Sequence, residues 1–440
     1  MSKSYTRVAS RRSETSFEDF KKAYTRALAV AESNRCLYCN DAPCIEACPT
    51  KIDIPEFIRK IGTDNVKGAA RTIFTSNILG MSCARVCPVE VLCVGDCVFN
   101  ELEAPPIQIG KLQRYATDMA FEQDWQFFRA GKDTGKSVGL VGGGPASLAV
   151  AHHLRRKGHA CTIYEQRDIL GGLNTWGVAP YKLRADSAMR EVEWLLSIGG
   201  IAIETGISVG KDVSWAELEK RHDAIFLGLG IGADQWLEIP GADLDGVEGA
   251  VAYIERLKTG EVSLKDVRHA LVVGGGNTAV DAVRELLGLG MQNVTMLYRR
   301  TEEEMSGYHH EWDAAKVEGG RVVWRSLPTK FAGKGRVERV SCTRLDTSRK
   351  PIKGSEFELE SELVLFAIGQ EKLADTVSGL DGVKVERGCI VVDEGGATGR
   401  PGVFSGGDCT NGGKEVVNAV AEGPAAAERI DHFLRGGSHA

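Results

Sequence analysis

Apolar residues recur along this chain with two periods, and the change from one to the other divides it. From Ser16 to Asn34 the period is helical. Phe17, Phe20, Tyr24 and Leu28 fall on one face, and Ser16 with Asp19 resembles a capping signal, so an amphipathic helix is predicted. A second helical stretch runs through Ile54 to Ile61. The polar stretch from Arg129 to Lys136 reads as a linker. Beyond it, short apolar runs alternate with helical stretches. Ser137 to Val141 is a strand, a helix runs to about Lys157, and Ala160 to Tyr164 is a strand. The pattern returns with a strand from His269 to Val273, a helix to about Leu289 and a strand from Asn293 to Tyr298. Strand–helix–strand alternation predicts α/β units built on parallel sheets. A further strand ends at Gly228-Leu229-Gly230, and a last helix is predicted from Glu415 to Ile430.

Each α/β unit opens on a glycine turn. The first is Gly142-Gly143-Gly144-Pro145-Ala146-Ser147, with Glu165 closing the next strand 23 residues after Gly142. This is the dinucleotide fingerprint in its required context. Gly142 makes the tight turn, Gly144 lets the backbone approach a pyrophosphate at the helix N-terminus, and Glu165 accepts from ribose hydroxyls. Ser147 replaces the third glycine and is still small enough for close helix–strand approach. The second turn is Gly274-Gly275-Gly276-Asn277-Thr278-Ala279. Its following strand ends in Arg299 and Arg300 with no acid, which suits a 2′-phosphate, unless the arginines are simply solvated or stack on adenine.

Eight of the twelve cysteines lie in two groups ahead of these turns. Cys36, Cys39, Cys44 and Cys48 read C-x2-C-x4-C-x3-C-P; Cys83, Cys87, Cys93 and Cys97 read C-x3-C-P-x4-C-x3-C. Such groups hold 4Fe–4S clusters, and the Cys-Pro ending resembles the ferredoxin run, in which the last cysteine can serve the other cluster. Zinc sites and disulfides are the alternatives. No histidine lies between Cys36 and Cys97, and disulfides need an oxidising compartment. Spacing alone selects Cys83 as the eighth ligand. Cys161, Cys342, Cys389 and Cys409 are isolated and read as core or loop residues.

Composition narrows the reading further. A chain of 440 residues supports two or three domains with real cores. Net charge is −6, which gives no case for nucleic acid or an anionic membrane. No apolar run approaches the length of a membrane span, and Met1 to Arg12 is polar and basic without the apolar stretch of a secretory signal. A reducing, cytoplasmic location is therefore expected.

The late segment Thr398-Gly399-Arg400-Pro401-Gly402-Val403-Phe404-Ser405-Gly406-Gly407-Asp408, with the helix after it, resembles flavoprotein reductases that carry one dinucleotide domain inserted in another. RCLYCNDAPCIEACPT from Arg35, GMSCARVCPVEVLCVGDC ending at Cys97, VGGGPASLA and VFSGGD resemble the amino-terminal half of dihydropyrimidine dehydrogenase. The resemblance covers about Arg26 to Leu434 and extends to the separate electron-input subunit of the bacterial enzyme. The glutamate synthase small subunit shares the architecture. Gln113, where that rival typically carries a glutamate, and Ser147 fit the pyrimidine family better.

The resemblance implies an N-terminal helical domain with two 4Fe–4S clusters (1–135). It also implies an FAD domain in two segments (136–250 and 363–440) with an NADH- or NADPH-binding domain (251–362) inserted between them. It assigns Cys36, Cys39, Cys44 and Cys97 to one cluster, and Cys48, Cys87, Cys93 and Gln113 to the other. It implies FAD contacts from Gly142, Gly144, Pro145, Ala146, Ser147, Glu165, Gly172, Leu173, Lys182 (an arginine in the family), Val209, Gly407, Asp408, Glu415 and Val416. The nicotinamide cofactor would meet Gly274, Gly275, Gly276, Asn277, Thr278, Arg299, Arg300, Ala367 and Gly369. A second family arginine, used on the 2′-phosphate, falls near Ser306, so NADH becomes at least as suitable as NADPH. No residues remain for the FMN-bearing barrel of the family enzyme, and no C-x2-C follows the second turn as a redox disulfide would require. The implied partner is therefore a separate FMN- and iron–sulfur-containing catalytic subunit, joined in a heterotetramer, and no side chain here is expected to act as general acid or base.

Overall fold

The computed structural model describes residues 8–377 and 379–439. Two five-stranded parallel sheets organise it. The first runs in the order Val403–Ser405, Ala224–Leu227, Ser137–Val141, Ala160–Glu165, Ile201–Thr205. The second runs Val247–Gly249, Leu363–Ala367, His269–Gly274, Asn293–Leu297, Arg321–Val323. The whole second sheet lies in sequence between two neighbouring strands of the first, so the second unit is inserted in the first. The fold is mixed α/β with a helical N-terminal region, as the sequence pattern indicates.

The outer limits of the inserted unit differ from the expected 251–362. Val247–Gly249 and Leu363–Ala367 both pair in the second sheet, Leu363 opposite Ala270 and Val364 opposite Val247. The strand Leu363–Ala367 is buried throughout, which is what a central parallel strand requires. A three-stranded antiparallel sheet, Phe357–Glu360, Arg339–Arg344 and Ser326–Ala332, is carried on the same insertion.

The helical region is built from Arg26–Ser33, Ile54–Gly62, Val66–Ser76, Gly80–Val86 and Ile109–Glu122, with shorter turns between. Asp53 and Asn65 accept from the N–H groups of Glu56 and Gly68 and so cap the second and third. This region has no separate core. Phe74 stacks on Trp194 of the first dinucleotide unit at 4.5 Å, and Phe121 and Phe127 close around the pair. The apolar cluster continues into Val138, Leu140 and Ala151, whereas the inserted unit has a core of its own around Trp312, Tyr253 and Val272.

The helix expected over Ser16–Asn34 forms only from Arg26 to Ser33, capped by Thr25, whose hydroxyl accepts from Leu28 N–H. The aromatic residues ahead of it are used differently. Phe17 is buried with Ala179, Tyr181 and Leu289, and Phe20 donates its N–H to Tyr181 O and meets that ring edge-on. A segment that runs between two units satisfies its apolar side chains against them rather than along its own axis.

Candidate functional site

Both glycine turns form as strand–turn–helix. Gly142 sits at φ +93°, and a Cβ there would lie 2.3 Å from Gly228 O. Gly274 has φ +149°, and a Cβ would lie 2.2 Å from Ala367 O. Gly144 is open: the nearest atom to where a Cβ would stand is Gly172 Cα at 3.9 Å, so the first turn leaves room for a pyrophosphate against its backbone. Helices Pro145–Lys157 and Asn277–Gly288 follow the two turns directly.

A cavity of about 560 Å³ opens at the first turn and extends to the insertion. Of the residues expected to hold FAD, Gly142, Gly144, Pro145, Ala146, Glu165, Gly172, Leu173, Lys182, Val209, Gly407, Asp408, Glu415 and Val416 line it. Ser147 does not: it is fully buried, where a side chain on Gly228 would strike its hydroxyl. Glu165 accepts from Gly143 N–H at 2.7 Å and Arg167 N–H at 2.9 Å. Burial raises its carboxyl, while those two amides and Arg167 pull it down. Burial likewise raises Asp408, whose Oδ1 accepts from Lys414 N–H, and Glu415.

Lys182 departs from a simple flavin-contact role. It is buried between Asp281 at 2.9 Å and Glu311 at 2.8 Å, both on the insertion. Burial opposes its charge, but these two carboxylates outweigh burial and raise it above the ordinary lysine range. Arg167 lies over Trp176 at 3.8 Å and pairs with Glu255, a second tie between the units. Asp281, Glu311, Tyr308, Arg167 and Trp176 all face the cavity and were not singled out by sequence, because no spacing rule links residues so far apart in the chain.

Of the residues expected at the nicotinamide site, Asn277 alone lines this cavity. Gly274 and Ala367 are adjacent across the sheet, and the Tyr298 ring lies against Gly275. Gly369 O accepts from Gln235 N–H. Arg299 is exposed, and Arg300 is half-buried with Nε lacking a hydrogen-bond partner. Ser306 donates to Gly275 O at 3.4 Å, so the position of the second family arginine does face this turn.

The clustered cysteines are free thiols; Cys36, Cys39, Cys44 and Cys97 line one small pocket, and Cys48 and Cys87 lie near Cys93. Burial raises Cys44 to about 12, and the nearby sulfurs of Cys36, Cys97 and Cys39 add to the effect. Cys93 is raised by burial and then by Cys87, Cys48 and Cys44. Soft sulfur donors in two such groups suit iron–sulfur clusters. Cys83 is buried beside Cys87, and the hydrogen bond between their thiols is the largest influence raising Cys87. Gln113 is buried, and its Nε2 donates to Gly80 O at 2.8 Å. Val86 and Pro88, on either side of Cys87, line the same cavity as Gly144 and Asp408. Among the described residues no helix is long and apolar enough to cross a membrane.

Fold and site define a pyridine-nucleotide oxidoreductase joined to an iron–sulfur domain. Residues 12–125 match the family described as dihydropyrimidine dehydrogenase domain II, 4Fe-4S cluster, and residues 136–423 match the pyridine nucleotide-disulphide oxidoreductases. The chain belongs to the pyridine nucleotide-disulphide oxidoreductase family, in the branch that includes the PreT subunits of NAD-dependent dihydropyrimidine dehydrogenase and the small chains of glutamate synthase. It is 32% identical over 419 residues to the NAD-dependent dihydropyrimidine dehydrogenase subunit PreT of Escherichia coli, covering 95% of this chain and 97% of that one. It is also 32% identical over 448 residues to the glutamate synthase (NADPH) small chain of Azospirillum brasilense, covering 95% and 92%. Among solved structures, Lactococcus lactis thioredoxin reductase shares the fold at TM-score 0.54 and 23% identity, over 68% of this chain and 99% of that one. FprA from Mycobacterium tuberculosis does so at TM-score 0.55 and 20% identity, over 69% and 86%.

Proposed function

We propose that this chain oxidises NADH or NADPH at the second turn, holds FAD at the first, and passes electrons singly through two 4Fe–4S clusters. The recipient would be an FMN- and iron–sulfur-containing catalytic subunit that reduces uracil or thymine to the 5,6-dihydropyrimidine. The supporting observation is the shared wall: residues flanking Cys87 face the same cavity as Gly144, Asp408 and Glu415. Bound FAD would supply the exchange between a two-electron donor and one-electron acceptors.

The chain's own residues bind, orient and exclude water. Gly142, Gly144 and the helix at Pro145 receive the pyrophosphate, Glu165 the ribose, and Asp408 the ribityl chain. The N-terminus of Val416–Leu434, where Glu415 and Val416 line the cavity, would offer its positive dipole end to a flavin bound there. Cys36, Cys39, Cys44 and Cys97 would hold the outer cluster, and Cys48, Cys87, Cys93 and Gln113 the cluster nearer the cavity. Changing Cys83→Ala should leave the iron content at about eight atoms per chain, while Gln113→Ala should alter one cluster's spectrum. The opposite outcome would give Cys83 the ligand role.

The second reading is a glutamate synthase small chain, favoured by the equal identity of the Azospirillum brasilense relative. Gln113 and Ser147 incline the choice to the pyrimidine enzyme. Uracil-dependent NAD(P)H oxidation decides, measured with this chain alone and with the barrel subunit, as a proposed heterotetramer. Uracil turnover by this chain alone would refute the proposal. Glutamate formation from glutamine with a large amidotransferase subunit would establish the rival.

A further inference from the structure

The chain ahead of Arg26 docks on all three regions, and its far end reaches one of the clustered cysteines. Ser13 N–H donates to Gly260 O at 2.9 Å on the insertion. Glu14 accepts from Ala185 N–H at 2.9 Å, and Phe20 N–H donates to Tyr181 O at 3.2 Å, both in the first dinucleotide unit. The path leads to Lys21, which is half-buried and whose Nζ donates to Cys87 O at 2.8 Å. The Lys21 backbone is fixed as well. Its carbonyl accepts from Arg114, its N–H donates to Asp19 Oδ1 at 3.2 Å, and Asp19 pairs with Arg114. Arg114 directly follows Gln113 on the helix Ile109–Glu122. Lys21 thus joins the peptide of Cys87 to the residue beside Gln113, two members of one proposed ligand set. The next residue, Lys22, is exposed and pairs with Glu18 at 3.9 Å.

A carbonyl needs only a neutral donor, and taking a cation out of water to serve one is costly. Burial is the largest influence on the Lys21 ammonium and lowers its pKa, while Glu90 and Glu311 act against it. Those carboxylates have other partners: Glu311 meets Lys182 at 2.8 Å, and Glu90 lies 3.5 Å from His310 Nε2. The Lys21 charge also acts on the Cys87 sulfur, in the direction that favours the thiolate. Net charge and hydrogen bonds around the ligands set the potential of an iron–sulfur cluster. We propose that Lys21 is a positioning residue for the cluster nearer the cavity: it fixes the Cys87 peptide and, by its positive charge, makes that cluster easier to reduce. This rests on the reading of Cys87 as a ligand of that cluster. A reduced cluster carries one more negative charge, so a cation at the ligand's own peptide stabilises it over the oxidised form. Lys21 itself exchanges neither electron nor proton.

The test uses the full, flavin- and cluster-loaded chain. Lys21→Met keeps the stem and removes both bond and charge, Lys21→Gln keeps a donor without the charge, and Lys21→Arg keeps the charge. Lys22→Met is the control for overall charge. Redox titration followed by electron paramagnetic resonance gives the midpoint potential of each cluster, and iron analysis shows that both are present. Lys21→Met and Lys21→Gln should leave about tenfold less of one cluster reduced at a given potential, a midpoint lower by about 59 mV for one electron. The other cluster should shift less, and Lys21→Arg and Lys22→Met should keep the wild-type midpoints. Wild-type midpoints in Lys21→Gln overturn the charge role, whether or not Lys21→Met holds its iron. An equal shift in Lys22→Met overturns it too, because the effect would then follow overall charge. Retention of both clusters by Cys87→Ala would instead overturn the reading of Cys87 as a ligand, and the proposal with it.

Discussion

The glycine turns at Gly142 and Gly274 hold the same place in their strand–turn–helix units and differ in what they open on. In each, a side chain on the first glycine would strike a carbonyl of the neighbouring strand, Gly228 O in one and Ala367 O in the other. Yet Gly142, Gly143 and Gly144 all line the open cavity, whereas the second turn meets it only through Asn277 and receives Ser306 and Gly307 on the Gly275 carbonyl. The first turn is followed by an acid fixed by two backbone amides, the second by arginines. The glycines therefore set only the path of the chain. What each turn accepts is set by the residue closing the next strand and by the loop that covers it.

The sharpest way to break this comparison is to block one turn at a time. Gly142→Ala forces a methyl group into the left-handed region and onto a backbone carbonyl that cannot move cheaply. The expected product is essentially free of flavin and at least about 2 kcal/mol less stable, read by flavin content and thermal unfolding. Gly274→Ala should keep its flavin and lose bleaching by NAD(P)H. Flavin loss in both would show that the turns do not serve separate sites.

Next in size is the contact between the units. Lys182→Met leaves Asp281 and Glu311 facing each other without their cation, and breaking a buried ion pair this way costs about 3–5 kcal/mol. Urea unfolding measures it. A loss below about 1 kcal/mol would show that solvent reaches these carboxylates and that Lys182 does not hold the units together.

Lys258 gives the same interface a pH signature. It is fully buried and donates to the carbonyls of Asn174, Val178 and Leu183 in the first unit. Burial lowers its pKa to about 8, against Glu14, Glu285 and Asp186, which raise it. The folded protein then binds this proton less tightly than the unfolded chain. Stability should fall as pH drops from about 10.5 toward 8, by up to about 3 kcal/mol, and level off below. Unfolding at pH 8, 9 and 10 should show that slope in the wild type, and Lys258→Met should flatten it.

How much of this was legible beforehand follows from the range of each signal. Ser137–Val141, the Pro145–Lys157 helix and the second strand–turn–helix read out to within about a residue, since their pattern is local. The segment ahead of Arg26 misled because Phe17 and Phe20 sit at helical spacing but pack on Tyr181, far away in sequence. The strands Val247–Gly249 and Leu363–Ala367 look alike to either sheet, and only pairing assigns them. Lys182 was placed by likeness, but its partners Asp281 and Glu311 lie on an inserted unit whose docking no local pattern records.

The smallest expected effect concerns the choice of donor. Arg299 is exposed just past the end of the strand Asn293–Leu297, so a phosphate contact made there would stay solvated. Ser306 faces the turn with a hydroxyl where a second guanidinium would have added charge. One charge-assisted contact made at the surface is worth about 1.5 kcal/mol, roughly tenfold. Set against the cost of taking the charged 2′-phosphate out of water, that single contact leaves NADPH no net advantage, and NADH should bleach the flavin at least as efficiently. Arg299→Ser should lower the NADPH efficiency about tenfold and change that for NADH less than about twofold, by stopped-flow with each donor. Ser306→Arg should then move the wild type toward NADPH, because a forked cation beside Gly275 adds phosphate contacts that a hydroxyl cannot match. A wild-type preference for NADPH of roughly 100-fold, about 3 kcal/mol, would mean that Arg299 and Arg300 together suffice, and that the loop over the second turn leaves the phosphate position drier than its exposure indicates.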